Sequence, residues 1–368
     1  MLGLGFDSGG THTTSAAADG TGVLDGARNE VGHSIADARD PESLGAAVDW
    51  IMDIIEDQTD DEIAVWIAAA GFSAPTARAI AARFEPRVGS LSRRLEKEDR
   101  SIRILIANDA VSLLKAPPLN GAGVIAIVGT GSVVLGAHPD FPDGVIQRGG
   151  YEWMVSDEGA GVWMTLQCMR LILHELQERG PRDYHSALLD RLADHVGVTD
   201  SDLGDVPASH RSMARAEAVA RKMSESRSDI KRSLARFVHP HLFDLASPGR
   251  GRLPDPIAAD VISQSVGIIV DAVRSVSDSL AACTADEPNL RQPLPLIVGG
   301  NIAANPLYDQ QLREQVASSC RSISSVEAIG SAADCLARLA LSYAEGRETD
   351  RRQIARSLDP LHPVLQLL

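Results

Sequence analysis

The chain has 368 residues, and its hydrophobic share of 44% is enough for a sizeable core, which excludes a globally disordered protein. The net charge is −15, from 50 acidic and 35 basic residues, and the only lysines are Lys97, Lys115, Lys222 and Lys231. So acidic a composition argues against a nucleic-acid partner, which needs a basic surface, and the few lysines exclude a lysine-rich membrane-binding patch. The length favours two domains, or one large domain with insertions.

The cysteines and the first residues bear on the compartment. Cys168, Cys283, Cys320 and Cys335 form no CxxC pair, and their spacing fits neither a zinc site nor a disulfide framework. We therefore expect buried, inert thiols in a reducing compartment. The first strand starts at Leu2 with no leader before it, and charges break the apolar runs well short of a membrane span. These features predict a soluble, cytoplasmic protein without a membrane partner.

The amino-terminal half predicts an antiparallel β-β-β start. A strand over residues 2–6 ends in Asp7-Ser8-Gly9-Gly10-Thr11-His12-Thr13-Thr14, and strands over 15–19 and 23–28 come next, joined by a turn over 19–22. Hydrophobic periodicity then predicts six further elements: a helix over 40–57, a strand over 63–70, a helix over 74–84, a charged surface helix over 92–99, a strand over 102–107, and a helix over 110–114 directly after it.

Residues 116–121, with two prolines, are the best candidate boundary between the halves. The second half repeats the opening pattern, with strands over 124–128, 133–137 and 145–147 and the turn Gly129-Thr130-Gly131-Ser132 between the first two. The elements predicted beyond it are mostly helical: helices over 158–178, 184–195, 210–224, 230–245 and 256–283, a strand over 294–298 that ends in Gly299-Gly300-Asn301, and helices over 309–320 and 330–344.

Three glycine-bearing turns therefore come after strands, at 7–14, 129–132 and 299–300, and could converge on one ligand. Glycine lets the backbone approach an anion closely, and the Thr and Ser residues add hydroxyl donors. Neither GxxxxGK[ST] nor a GxGxxG that opens a helix is present. A bound phosphate would therefore lie between two facing hairpin turns, with Mg²⁺ in place of the missing lysine. The alternative is that 129–132 is a plain hairpin.

Five motifs together resemble a known family. They are Asp7-Ser8-Gly9-Gly10-Thr11, Asn108-Asp109-Ala110, Gly129-Thr130-Gly131-Ser132, Gly149-Gly150 and Asp157-Glu158-Gly159. In this order they resemble the N-acetylglucosamine kinase family, which belongs with the BadF/BadG-type ATPases in the superfamily of sugar kinases, Hsp70 and actin. Later segments match the family's adenosine region in order: Val298-Gly299-Gly300, Asn305-Pro306 and Gly330-Ser331-Ala332-Ala333. The resemblance covers roughly residues 2–340.

The resemblance implies an α/β fold of duplicated actin-like (ribonuclease H-like) ATPase domains with a cleft between two lobes. The first lobe would be 1–117, and the second 118–340 with a helical insertion at about 180–250. The tail, 341–368, would pack back on the first lobe. The implied activity is ATP:hexosamine phosphotransfer, from ATP to a hydroxyl (the 6-hydroxyl) of an amino sugar such as N-acetylglucosamine or glucosamine. ATP and Mg²⁺ would be the cofactors, and a homodimer is implied.

Residue roles can be assigned from the resemblance, motif by motif. Asp7 would hold Mg²⁺ through water, and Asp109 would be the general base. The ATP phosphates would contact Ser8, Gly9, Gly10, Thr11, Thr13, Gly129, Thr130, Gly131 and Ser132. The adenosine would contact Gly299, Gly300 and Asn301. The sugar would contact His33, Ser34, Asn108, Asp109, Thr130, Gly150, Tyr151, Glu152 and Asp157.

Each carboxylate also has a structural alternative. Asp7 could start a turn, Asp109 could be the N-cap of helix 110–114, a role compatible with catalysis, and Asp157 could be a first-turn carboxylate of helix 158–178. The family's sugar-binding Asn is missing from 32–34, and the stretch 151–156 replaces a common Trp-Gly pair and a Gly just before Asp-Glu-Gly, with Glu152 in place of a glycine. Glu152 or His33 could meet an amino group and favour glucosamine; alternatively, Glu152 faces solvent.

Two other functions remain as alternatives. A BadF-type activator ATPase would need cysteine ligands for an iron–sulfur cluster near the second turn, and Ser132-Val133-Val134 has none. A non-catalytic sugar sensor would need neither Asp7 nor Asp109, and the chain shows no DNA-binding segment and no zinc-binding cysteines. We therefore expect a sugar kinase.

Overall fold

The computed structural model describes residues 1–10, 12–25, 29–35, 41–138, 144–151, 154–180, 186–225, 230–249, 252–283, 293–346 and 365–367. Within them the chain forms two β-sheets with helices on their faces and between them.

The first sheet has seven strands. They are β1 (Leu2–Ser8), β2 (Thr13–Asp19), β3 (Gly22–Val23), β4 (Asn29–Val31), β5 (Glu62–Ala69), β6 (Ser101–Asn108) and β12 (Leu365–Gln366). Strand β2 pairs antiparallel with β1, β3 and β4, whereas β1, β5 and β6 run parallel. The short strand β12 adds antiparallel to β6. Strands β1, β5 and β6 therefore present their carboxyl ends at one edge of the sheet.

The second sheet has five strands. They are β7 (Gly123–Val128), β8 (Ser132–Ala137), β9 (Ile146–Gly149), β10 (Leu294–Gly299) and β11 (Ile323–Ala328). Strand β8 pairs antiparallel with β7 and β9, and β7, β10 and β11 are parallel. The order β9-β8-β7-β10-β11 repeats β3-β2-β1-β5-β6 of the first sheet. This duplication confirms the predicted fold class.

The helices occupy the remaining chain. They are α1 (Pro41–Glu56), α2 (Ala74–Lys97), α3 (Asp109–Lys115), α4 (Gly161–Arg179), α5 (Ala187–Val196), α6 (Asp200–Leu203), α7 (Arg211–Ser224), α8 (Ile230–Phe237), α9 (Phe243–Ala246), α10 (Pro256–Cys283), α11 (Pro306–Ser319) and α12 (Ala332–Glu345). A 3₁₀ turn, Ala208–His210, precedes α7, and a π-helical turn, Val238–Leu242, joins α8 to α9.

Several predicted boundaries were wrong. The helices expected over 74–84 and 92–99 are one helix, α2, which continues through Pro86. Proline has no N–H to donate to the Ala82 carbonyl, but both Ala82 and Pro86 are exposed, so this carbonyl is accessible to solvent. The helix expected over 230–245 is broken by the π turn. Strand β11 was missed because its residues are only half-buried or exposed, at the edge of the sheet.

The sheets and helices stack in layers. Helices α1 and α2 cover one face of the first sheet, and helices α4, α5 and α7 to α11 cover one face of the second. Between the sheets lie α3 and α12, in a core that includes Trp66 and Leu105 of the first sheet and Ile125 and Leu135 of the second. The Trp66 indole donates to Ser112 Oγ of α3 at 2.9 Å. This middle layer joins the two halves.

Helix α12 lies on β1 of the first sheet, although the expected second lobe, 118–340, includes most of it. The helix and the strand are in close contact. A Cβ at Gly5 would lie 2.2 Å from the backbone nitrogen of Ala337 and 2.3 Å from the oxygen of Ala333, so only a glycine fits there. The carboxyl-terminal part of the chain therefore supports the strand that carries Asp7.

Among the described residues, one helix segment, Pro256–Ala282 of α10, is long and apolar enough to cross a membrane, with a mean hydropathy of 1.5. Many of its apolar residues, among them Val261, Val266 and Val273, are buried in the core of the second half. Core packing accounts for its apolar composition. Of the described cysteines, Cys168 and Cys320 are buried and unpaired, and Cys335 is half-buried.

Candidate active site

The first glycine turn connects β1 to β2 and is held by buried hydroxyl groups. Ser8 Oγ lies 2.9 Å from Thr13 Oγ1 and accepts the backbone N–H of Ile35 at 2.9 Å. Thr13 Oγ1 donates to the His33 carbonyl at 2.8 Å. Ser34 Oγ lies 3.2 Å from Ser8 Oγ and also donates to the Gly9 carbonyl. These bonds bring the predicted sugar loop, 33–34, against the predicted phosphate turn.

The hydroxyls of Ser8, Thr13 and Ser34 are therefore bound within the protein, and none of these residues is more than 1% exposed. What the turn offers to a ligand is the backbone of Gly9 and Gly10. A Cβ at Gly10 would meet no protein atom within 4 Å, so internal packing does not require this glycine. Thr11 lies outside the described residues, and His33 is exposed.

Two carboxylates meet at the edge where β1, β5 and β6 end. Asp7 of β1 pairs in register with Ala68 of β5. The next residue of β5, Ala69, pairs with Asn108, the last residue of β6. Asp109 follows Asn108 directly, so it lies at the same edge of the sheet as Asp7. Burial, and then the negative charge of Asp109, raise the pKa of Asp7 to about 7. Burial also raises the pKa of Asp109, against the opposing effect of the backbone N–H groups of Ala110 and Asp109 itself. The two predicted acidic residues therefore interact electrostatically.

Asn108, not Asp109, caps helix α3. Asn108 Oδ1 accepts the backbone N–H of Val111 at 3.3 Å, and Asp109 is the first residue of the helix. The alternative in which Asp109 is the cap is therefore wrong. The predicted sugar contact Asn108 has its side-chain oxygen in this cap. A carboxylate that does not serve as the cap and has a raised pKa is suited to proton transfer.

The second glycine turn, 129–132, is tied to the start of α4. The backbone N–H of Gly129 donates to the Gly131 carbonyl at 2.9 Å, and the Gly129 carbonyl accepts the N–H of Gly161 at 2.9 Å. Ser132 Oγ donates to the Glu158 carbonyl at 2.8 Å, so this hydroxyl too makes its hydrogen bond within the protein. Gly129, Thr130 and Gly131 are half-buried at the surface of the turn.

Asp157 packs on this second turn. A Cβ at Gly131 would lie 2.4 Å from Asp157 Oδ2, so the glycine leaves the space that the carboxylate fills. Asp157 is buried, with 6% exposure. Helix α4 begins at Gly161 and not at residue 158, so the alternative of a first-turn helix carboxylate is wrong.

The loop 157–159 is held by residues that no sequence motif indicated. Ser265 Oγ of α10 donates to the Gly159 carbonyl at 2.6 Å and lies 3.0 Å from the Tyr308 hydroxyl of α11. Both side chains are fully buried, and burial raises the pKa of Tyr308. The network has no local signal in the sequence, because its members are far apart in the chain.

The Gly149-Gly150 motif stands at the end of β9 and lies beside the second turn. Gly149 has φ +72°, and a Cβ there would lie 3.0 Å from the Ser132 carbonyl oxygen. Gly150 also has positive φ, +77°. The N–H of Tyr151 donates to Ser156 Oγ at 2.8 Å, and the Tyr151 side chain is 61% exposed. Glu152 lies outside the described residues, so its expected role has no structural account.

The predicted adenosine loop, 299–301, also contacts the second turn. Gly300 has φ +96°, and a Cβ there would lie 2.3 Å from the Val128 carbonyl oxygen. That carbonyl accepts the N–H of Ile302 at 3.1 Å, and a Cβ at Gly129 would be 4.0 Å from the Asn301 nitrogen. Asn305 and Ser331, in the other matched segments, cap α11 and α12. The structure therefore brings together 129–132, 149–151, Asp157 and 299–301.

Within the described residues, no group of three or more His, Cys, Asp or Glu side chains could hold a metal ion. The Asp7 and Asp109 pair still fits Mg²⁺ bound with a nucleotide. Magnesium commonly keeps several waters and takes one or two carboxylates together with phosphate oxygens, and carboxylate oxygens are the hard donors that it prefers. Asp7 is half-buried, and its raised pKa marks a desolvated carboxyl whose charged form a bound cation would stabilise.

Comparison with known proteins finds no matching family model. The N-acetyl-D-glucosamine kinase of Dictyostelium discoideum is 27% identical over 199 residues, which are 51% of this chain and 60% of that relative. The alignment therefore spans less than two thirds of the relative's length. A solved candidate N-acetylglucosamine kinase from Chromobacterium violaceum has a TM-score of 0.52 and 18% identity, over 92% of this chain and 98% of that one. Another, from Porphyromonas gingivalis, has a TM-score of 0.51 and 18% identity, over 91% and 97%.

The duplicated sheets, together with these structural neighbours, define the fold class: a two-lobed, actin-like and ribonuclease H-like α/β fold. Within this class, the chain is similar to the N-acetylglucosamine kinases, and the comparisons confirm the resemblance that the motifs predict.

Proposed function

We propose that the chain is an ATP-dependent sugar kinase that transfers the γ-phosphate of ATP to the 6-hydroxyl of an amino sugar, N-acetylglucosamine or glucosamine. The observation that carries the proposal is the interacting pair Asp7 and Asp109, at the carboxyl ends of β1 and β6 on either side of β5, with the pKa of each raised. Phosphoryl transfer to a sugar hydroxyl needs a base for that hydroxyl and a carboxylate for the metal–nucleotide, and this pair supplies both.

ATP would lie between the two glycine turns. Its phosphates would contact the backbone of Gly9 and Gly10 on one side and of 129–131 on the other, and its adenosine would lie on 299–301. Support comes from the contact between Gly129 and the adenosine loop, and from the open space at Gly10. Mg²⁺, held by Asp7 through water, would neutralise phosphate charge. We assign the hydroxyls of Ser8, Thr13 and Ser132 to holding the turns, because each is bonded within the protein.

The sugar would lie between Asp109, Asp157 and the loop 33–34, with Gly150 and Tyr151 at its outer side. Asp157 is fixed against Gly131, so it would accept hydrogen bonds from sugar hydroxyls at a set distance from the phosphate turn. The exposed His33 remains the residue that would meet a substituent of an amino sugar. A homodimer in the cytoplasm is part of the proposal, by analogy with the family.

Asp109 would take the proton from the attacking hydroxyl. Its raised pKa makes it a stronger base than an ordinary aspartate, and its place at the start of α3 orients the carboxylate. Closure of the halves would exclude water and so suppress hydrolysis of ATP.

The test is the kinetics of the wild-type chain and of Asp109→Asn with glucosamine, N-acetylglucosamine and glucose. We expect wild-type activity to be best with an amino sugar and kcat of the variant to fall by about two to four orders of magnitude. The KM for sugar should change little, because the amide keeps the shape of the carboxylate. An unchanged kcat would remove Asp109 as the base. Glucose as the best substrate would remove the amino-sugar assignment.

A further inference from the structure

The helical segment after α4 has no role in the proposed function, yet part of it reaches the candidate nucleotide site. Gly161 marks the meeting point. A Cβ at Gly161 would lie 3.0 Å from Ile302 Cδ1, 3.2 Å from the Gly129 oxygen and 3.3 Å from Ala235 Cα of α8. Helix α8 therefore packs where the second phosphate turn meets the loop 299–301.

A hydrogen bond fixes α8 in this place. Thr165 Oγ1 of α4 donates to the Leu234 carbonyl at 2.8 Å, and the whole contact is buried. Helix α8 is strongly anchored, because Leu234 and Phe237 are both fully buried. The residues directly after α8 are therefore held at a set position relative to the nucleotide loop.

Those residues form the π-helical turn, Val238–Leu242, with Pro240 at its centre. Single π turns inside helices occur frequently at functional sites, because the wider turn redirects side chains. Here the turn presents His239, whose side chain is exposed and whose Nε2 donates to the Asn301 carbonyl at 2.7 Å. His241 faces elsewhere, with its ring 5.1 Å from that of Phe237 and 5.7 Å from that of His195.

The bond from His239 completes the fixation of the loop. Gly300 lies on the Val128 carbonyl, and Ile302 donates to the same carbonyl at 3.1 Å, so both neighbours of Asn301 are held from the second sheet. The Asn301 carbonyl itself is held by His239, from the π-helical turn. We infer that His239 is a positioning residue, which holds 299–301 in the conformation that binds the nucleoside part of a nucleotide. This inference rests on the proposed function, in which 299–301 contacts that nucleoside.

The test compares three variants. His239→Ala removes the bond. His239→Gln keeps an N–H donor at nearly the same reach. His241→Ala is the matched control on the same turn, which loses ring contacts but no contact with the loop. Because His239 is exposed, its loss should not unfold the chain.

The first measurement is ADP binding by titration calorimetry without sugar. We expect His239→Ala to bind ADP about three- to tenfold more weakly, as the loss of one hydrogen bond implies, and His239→Gln to recover most of the affinity. His241→Ala should bind ADP as the wild type does. In kinetics, the KM for ATP should rise in His239→Ala by the same factor, with kcat and the KM for sugar unchanged.

The second measurement needs no nucleotide. Hydrogen exchange of the Ile302 and Ala303 amides should be faster in His239→Ala than in the wild type or His239→Gln. Unchanged ADP affinity in His239→Ala overturns the inference, as does equal weakening in His241→Ala or a failure of His239→Gln to recover. If one of these results is found and the wild-type protein phosphorylates a sugar, the inference about His239 is wrong but the proposed function stands. A wild type that binds no ADP overturns the proposed function, and the inference with it.

Discussion

The acidic pair at the strand ends sets the chemistry at the scale of single residues. Asp7 has its pKa raised from an ordinary 3.8 to about 7, so between these values the folded chain keeps a proton that the unfolded chain has lost. Folding stability therefore falls as pH rises from about 4 to about 7, and the full loss persists above pH 7. Asp7 costs stability at the pH where it would serve as a metal carboxylate.

Asp7→Asn tests this cost. The ligand-free variant should melt several degrees above the wild type at pH 8, because the amide carries no buried charge, and the difference should shrink toward pH 5. Differential scanning fluorimetry at pH 5, 6, 7 and 8 measures it. Asp205→Asn, at an exposed position, corrects for the loss of one negative charge. A difference between Asp7→Asn and wild type that is independent of pH would show that the buried charge of Asp7 is not the cause.

Gly131 and Gly129 separate sugar binding from nucleotide binding. Gly131→Ala would place a Cβ against Asp157 Oδ2, and the end of that side chain would have to move. We expect the KM for sugar to rise at least about tenfold, and the KM for ATP to rise less, because Gly131 would contact the phosphates through its backbone alone. Gly129→Ala is the matched variant, since its Cβ would meet no atom closer than the Asn301 nitrogen at 4.0 Å. Gly129→Ala should raise the KM for ATP and leave the KM for sugar unchanged. The reverse pattern would exchange the two proposed roles.

Sequence reasoning located residues that act locally and missed those that act at a distance. Asp7, Asp109 and the glycines stand directly after strands, so a local pattern was enough to select them. Ser265 and Tyr308 are 106 and 43 residues from the partners they hydrogen-bond, and only the fold shows that they meet. The capping role of Asn108 was also missed, because two adjacent residues, both suitable as caps, cannot be told apart by type.

At the scale of elements, helix α12 supports β1 through two glycines. Gly5→Ala would force a Cβ into the backbone of α12 at Ala333 and Ala337, where no side chain can move aside. We expect the free energy of unfolding to fall by about 2–4 kcal/mol and Asp7 to shift at the end of the strand. Gly45→Ala in α1 places a Cβ where no atom lies within 4 Å. This variant should raise the free energy of unfolding by about 0.5–1 kcal/mol. Denaturant unfolding compares them, and equal stability of the two variants would refute the close packing.

The elements predicted well were those with a strong local pattern. Helix α10 has the predicted bounds, and the buried strands β1, β5 and β6 were recognised from their apolar runs. Strand β11 and the π turn were not, because an edge strand lacks a continuous apolar pattern and a π turn depends on packing against α4 and the loop 299–301. Tertiary contacts decided these elements.

At the scale of the whole molecule, the duplicated sheets meet through the layer of α3 and α12. The proposed lobes, 1–117 and 118–340, would move about this layer and the segment 116–121. Helix α3 carries Asp109 at its first residue and packs in the core shared by both sheets, so the proposed base lies at the junction of the two halves. The iron–sulfur alternative gains no support, since no cysteine lies in or beside the turn 129–132.

The most direct test of the proposed kinase activity is phosphorus NMR of a mixture of wild-type protein, ATP, Mg²⁺ and an amino sugar, with the same mixture lacking sugar as the control. We predict a sugar phosphomonoester resonance, split into a triplet by two attached protons, that grows as ATP is lost. Asp109→Asn should form it about two to four orders of magnitude more slowly. Free phosphate released at the same rate with or without sugar, and no phosphomonoester, would contradict a sugar kinase.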